Sequence, residues 1–189
     1  MGVPGSGKST VCQASQIELG SPSFITASCT EFAREFLTKH GEIEHIAIQI
    51  HITHEQIQRE ETLAQSCDLL LCDSPLYLSY IYGLMFLESV SKPQRKILKE
   101  VYGWAVLNQL QRYECVFYLP KQFEVVDDGV RNPSLSTQIE DLIHGFLQTH
   151  KHLFKNYVEI WSDETDPAAI LKDRVKKVKD YLRKKEIVP

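Results

Sequence analysis

The sequence predicts an α/β fold, a parallel sheet lying between layers of helices. Three observations lead there. Short apolar runs alternate with longer helical ones along the chain. One of those runs, DLLLCD at 68–73, is almost continuously apolar, as a strand covered on both faces should be. Polar clusters follow residues 28, 72 and 120, at the carboxyl ends of strands, where parallel sheets hold their ligands.

Each element has its own signal. Lys8 to Leu19 reads as a helix, stopped by Gly20 in the place of a left-handed cap. Residues 23–28 read as a strand. Ser28 and Glu31 stand three apart, as in a capping box, and open a helix through Lys39 that Gly41 ends. From Glu42 to Ser66 a long polar helix carries Ile43, Ile46, Ile50, Ile57 and Ala64 at helical spacing. The strand at 68–73 follows, then helices over 76–88 and 93–111, and a strand over 115–120 closed by Pro120. A polar loop runs from Lys121 to Ser134. A helix over 135–152, a strand over 157–161 and a helix from Pro167 to Lys185 complete the series. Leu171, Val175, Val178 and Leu182 give that last helix one apolar stripe. Strands joined through helices imply right-handed crossovers.

At 189 residues, with neither repeats nor a low-complexity linker, the chain is expected to form one domain, 1–189. Its net charge of −4 gives no basic field for nucleic acid. No apolar run approaches the ~20 residues of a membrane span, and the N-terminus has no apolar h-region. Five cysteines without C-x-x-C spacing suggest reduced thiols and a cytoplasmic setting.

The chemistry begins at the first residues. GVPGSGKS (2–9) matches G-x-x-x-x-G-K-[ST] in full and opens a helix, as a phosphate-binding loop does. Gly2, Val3, Pro4, Gly5, Ser6, Gly7, Lys8, Ser9 and Thr10 are the expected nucleotide cradle. Gly2, Gly5 and Gly7 permit torsions that turn successive N–H groups inward as an anion nest. Lys8 brings a point charge to the β- and γ-phosphates. The Ser9 hydroxyl is an expected Mg²⁺ ligand, and the helix aims its positive end at the phosphates.

Three clusters can complete a site. Asp73 ends the buried run, where a carboxylate holds Mg²⁺ beside Ser9, accepts a substrate proton or caps the helix after Pro75. Glu31 and Arg34 stand one helical turn apart at a strand end, placed to grip a hydroxyl and a phosphate or to form a surface pair. Arg131 follows the turn at Asp127, Asp128 and Gly129, placed to stabilise charge on a transferred phosphoryl group or to lie in a solvated surface loop. Gln49 and Gln56, seven apart on the long helix, can read a nucleobase edge or form polar surface. His51 with His54, and His150 with His152, read as exposed helix residues. The terminal KDRVKKVKDYLRKKE, with eight basic and three acidic residues, reads as the solvated face of an amphipathic helix.

Taken together, the phosphate loop, TEFAREFL, LLLCDSPLYLSYIYG and DDGVRN resemble an AAA-domain kinase-like family. That family includes the ribosylnicotinamide kinase domain of bacterial NAD regulators. They also resemble the wider clan of deoxynucleoside and nucleoside-monophosphate kinases. The resemblance runs from Gly2 to about Trp161. It implies a three-layer P-loop NTPase fold of nucleotide-kinase type. It also implies an ATP- and Mg²⁺-dependent phosphotransferase acting on a small nucleoside- or nucleotide-like phosphate acceptor. By that analogy Glu31 or Asp73 handles the acceptor proton, Arg34 and Arg131 hold phosphates, and Gln56 lies beside the acceptor. The loop carries one clear arginine, fewer than monophosphate kinases usually have. The alternative is an ATP- or GTP-dependent switch that presents a changed surface to a partner.

Such folds place a central strand directly before the phosphate loop, and here only Met1 stands there. The resemblance asks for five strands where the sequence offers four. The expectation is a chain truncated at its N-terminus, with an open slot in the sheet, unless the flanking strands close on each other.

Overall fold

The computed structural model describes residues 5–41, 46–85, 90–122 and 136–189. In chain order the elements are α1 (Lys8–Leu19), β1 (Thr26–Cys29), α2 (Phe32–His40), α3 (Ile46–Ala64), β2 (Leu69–Cys72), α4 (Tyr77–Leu84), α5 (Lys92–Ile97), α6 (Gly103–Asn108), β3 (Val116–Tyr118), α7 (Ser136–His150), β4 (Tyr157–Glu159) and α8 (Pro167–Lys184). A π-helical turn, Leu98–Tyr102, joins α5 to α6. Local chemistry starts several of these helices. Ser91 and Gln94 form a capping box ahead of α5. At α8 the Asp166 carboxylate accepts from the Ala169 N–H at 2.9 Å, with Pro167 in the first turn. Among the described residues no helix is long and apolar enough to cross a membrane.

Among the described residues the strands are parallel, as the alternating pattern requires, but they form two separate pairs. β1 pairs with β2 from Thr26↔Leu69 to Cys29↔Cys72, and β3 pairs with β4 from Val116↔Tyr157 to Tyr118↔Glu159. The flanking strands do not close on each other. A cavity of about 580 Å³ lies between the pairs, with β2 on one side and Val116, Phe117 and Leu119 on the other. Helices α1 and α3 both pack against β2, and Leu69 to Cys72 are nevertheless only half-buried, because the edge of the strand borders this slot.

Helices cover the two faces. Val116 and Tyr118 join a core with Tyr77, Ile81, Leu98, Val106 and Ile143 from α4 to α7. Phe117 and Leu119, one residue out of phase, join Val11 of α1 with Val175, Val178 and Leu182 of α8. That alternation is the period of two of a strand between two layers.

Two turn assignments change. Gly20 is extended, at φ −69° and ψ 143°, and not a left-handed cap. Its need for glycine is steric, since a Cβ there would lie 2.8 Å from Thr26 Oγ1. That hydroxyl donates to the Gln16 carbonyl at 2.8 Å and ties the end of α1 to β1. Ser28 lies inside β1, so it cannot cap α2, whose N-cap is Glu31. The first amide of α2 is capped from outside: Phe32 N–H donates to Gln56 Oε1 at 2.9 Å.

Gly20→Ala should therefore cost about 2 kcal/mol in urea unfolding, the range of an overpacked contact. Thr26→Ala should remove most of that penalty in the double variant.

Candidate functional site

The phosphate loop is described from Gly5 onward; Gly2, Val3 and Pro4 lie outside the described residues. Gly5 and Gly7 have φ of 76° and 82°, the left-handed values that favour glycine. α1 begins directly after Gly7, whose carbonyl accepts the Val11 N–H at 2.9 Å. Ser6 and Lys8 are buried, whereas Thr10 is exposed. The loop so shaped opens a helix N-terminus toward an anion.

Asp73 stands where the sequence placed it. Its N–H donates to the Cys29 carbonyl at 3.0 Å, which carries the β1–β2 ladder one residue further. The Ser9 hydroxyl donates to Asp73 Oδ2 at 2.5 Å. Asp73 is 8% exposed, and its Oδ1 is buried without a hydrogen-bond partner among the described residues. Two adjacent oxygen donors, one with an unused buried oxygen, fit a hard cation such as Mg²⁺.

One residue further on begins a second, smaller cavity of about 70 Å³. Glu31, Gln49, Gln56, Ser74, Ser79 and Tyr82 supply its polar wall. Glu31 is 8% exposed, and Ser74 Oγ is buried without a hydrogen-bond partner among the described residues. Arg34, one turn after Glu31, is exposed and outside these walls. Arg131 lies outside the described residues. The neighbouring Glu35 pairs with Arg59 at 2.7 Å, and the guanidinium sits 4.5 Å from the Phe32 ring centroid, fixing α2 on α3.

The two glutamines are not polar surface. Gln49, Ile52, Thr53, Gln56 and Glu60 form one buried stripe of α3. Gln56 is held at both amide atoms: Oε1 caps Phe32, and Nε2 donates to Cys29 Sγ and Glu60 Oε1, each at 3.3 Å. The Gln49 carbonyl accepts from Thr53 Oγ1 at 2.9 Å and from Tyr102 O–H at 3.4 Å. Tyr102 belongs to the π-turn, a feature frequent at functional sites.

Sequence reasoning missed Glu60, which is 2% exposed. Tyr113 O–H donates to its carboxylate at 3.1 Å and accepts the Leu76 N–H at 3.0 Å. Arg112 Nε lies 3.7 Å from Glu60 Oε2. Through Gln56 and Tyr113, Glu60 is thus linked to the loop carrying Glu31 and to the loop carrying Asp73 and Ser74. Burial raises its pKa, partly offset by Arg112. The available signal was spacing, since Gln56 and Glu60 stand four apart behind Ile52.

A family model described as an AAA domain matches residues 1–164. No curated protein matches the sequence. Among solved structures, the deoxyadenosine kinase from M. mycoides with products dCMP and a flexible dCDP bound matches at TM-score 0.66 and 16% identity, over 97% of each chain. The same kinase with bound dATP matches at 0.65 and with bound dCTP at 0.64, at the same identity and coverage. At that identity the likeness is one of fold.

The buried Glu60 sets a pH dependence. An acid whose folded pKa is raised loses stability as pH rises from its unfolded value, near 4.5, through its folded value. Glu60→Gln does not titrate there. Its stability relative to the parent chain, read by urea unfolding, should therefore improve as the pH rises above 4.5.

Proposed function

The chain belongs to the AAA domain family, and from that premise we propose that it is an ATP- and Mg²⁺-dependent phosphotransferase acting on a nucleoside-like acceptor. One observation carries the reading. The Ser9–Asp73 contact at the phosphate loop stands immediately before Ser74 and Pro75, which wall the cavity containing Glu31. Donor and acceptor halves of a transfer reaction would meet at that point.

On the donor side the N–H groups of Gly5 to Lys8 cradle the phosphates, and Lys8 adds a positive charge. Ser9 and Asp73 would hold Mg²⁺, which supplies charge neutralisation on the β- and γ-phosphates when bound. Asp73 is turned toward Ser9, and Glu31, in the wall of the acceptor cavity, takes the acceptor proton. The acceptor oxygen attacks the γ-phosphorus, the bond to the β-phosphate oxygen breaks, and ADP leaves, while the hydroxyl proton passes to Glu31. Ser74 Oγ offers a hydrogen bond to the acceptor. Gln49 offers its amide to a base edge. Gln56 supports the acceptor site by fixing the start of α2 and with it Glu31. Arg34 and Arg131 hold phosphates, as the family resemblance implies. The shared fold with a deoxyadenosine kinase supports a nucleoside as acceptor. Five free cysteines support a reducing, cytoplasmic setting.

The test is a panel of nucleosides and nucleotides read by acceptor-dependent ADP release. At least one nucleoside should raise release above a Lys8→Ala control. With that acceptor, Glu31→Gln should lower kcat roughly 100- to 10,000-fold while leaving ATP affinity near the parent value. Release that no acceptor stimulates would sink the kinase reading.

A further inference from the structure

Arg174 lies in the middle of α8 and is 0% exposed. Among the contacts of its guanidinium are hydrogen bonds to three uncharged oxygens. Nη1 reaches the Ser6 carbonyl at 2.6 Å. Nη2 reaches the Pro120 carbonyl at 2.5 Å and Gln122 Oε1 at 2.7 Å. Gln122 closes a further ring, since its Nε2 donates to the Ser162 carbonyl at 2.6 Å and its Oε1 accepts the Ser162 N–H at 2.9 Å. Arg174 therefore joins the phosphate loop to the segment that follows β3, and through Gln122 to the segment that follows β4.

Holding three segments together does not require a cation. Apolar packing does it at lower desolvation cost. The contact with Ser6 supplies something apolar packing cannot. The Ser6–Gly7 peptide is planar and trans, so its C=O and N–H point in opposite directions. Fixing the carbonyl on Arg174 turns the Gly7 N–H to the side of the peptide opposite the guanidinium. Gly7, with φ 82°, is the residue at which that turn is made. A charge-assisted bond at the carbonyl also polarises the peptide and strengthens its N–H as a donor.

We propose that Arg174 is a positioning residue for phosphate recognition, which orients and polarises the Ser6–Gly7 peptide so that the Gly7 N–H is presented to the nucleotide. This rests on the reading that the loop binds ATP. Arg174 acts through the peptide and does not itself touch the ligand.

The experiment compares fluorescent mant-ATP with mant-adenosine on the parent chain, Arg174→Met and Arg174→Lys, with near-ultraviolet circular dichroism as the check on folding. The methionine variant should bind mant-ATP roughly tenfold more weakly or worse, the loss of a hydrogen bond to a charged group. Its mant-adenosine affinity should stay within about twofold, because the effect is confined to phosphate. Lysine keeps the charge without the planar fork and should recover part of the loss. If only the lysine variant folds, a selective loss of mant-ATP affinity in it decides the matter in the same way. Parental mant-ATP affinity in a folded Arg174→Met chain would overturn the proposal. So would an equal loss of both ligands. Failure of both variants to fold would assign Arg174 to stability alone and overturn it too. A parent chain that does not bind mant-ATP would instead sink the kinase reading.

Discussion

The contact between Ser9 and Asp73 is the constraint on which the rest of the site depends. It joins the first turn of α1 to the residue that ends the β1–β2 ladder. Because β1 and β2 run in register from Thr26↔Leu69 to Cys29↔Cys72, the residues just beyond both strands emerge at one edge. Asp73 is one step past Cys72, and Glu31 is two steps past Cys29. A slip of one residue in that pairing would reverse every side chain in the strand and take Asp73 away from the phosphate loop.

The second organising element is the inward stripe of α3. Polar side chains at Gln49, Thr53, Gln56 and Glu60 stand where a surface helix would carry apolar ones. Burying Thr53, Gln56 and Glu60 is tolerable because the side chain of each has partners close at hand. Those partners are mostly backbone atoms and aromatic hydroxyls around the site: Phe32 N–H, Tyr102 and, through Tyr113, Leu76 N–H. The stripe thus converts one rigid helix into a ruler for two loops.

Much of this was legible in the chain. The spacing of Gly2 to Ser9 pointed to a phosphate loop, and within its described part Gly5 and Gly7 take the left-handed φ that such a loop asks for. The apolar run at 68–73 placed Asp73 correctly, and the bounds of α1 and of α8 were read nearly to the residue. What escaped reading depends on partners distant in sequence. Gly20 looked like a cap because the crowding Thr26 side chain is invisible in a helix-end pattern. Ser28 and Glu31 looked like a capping box because nothing local shows that Gln56 reaches Phe32 across a gap of 24 residues. Arg174 sits among eight basic residues that read as one solvated face, yet its acceptor on Ser6 is 168 positions away. Burial of a polar side chain is a property of the assembled fold, so a single sequence shows it poorly.

The slot between β2 and β3 has a mechanical meaning. A continuous ladder makes a sheet open as one cooperative piece, whereas two ladders with open space between them can open at separate free energies. In this molecule the two halves are joined by side chains: the core that packs α4 against β3 and α7, the packing of α1 on α8, and the guanidinium of Arg174. A ligand resting on the phosphate loop and on the ends of β3 and β4 would span that seam. Its binding free energy would add directly to the cohesion of the halves. The substrate would then be a tie-beam of the building as well as its occupant.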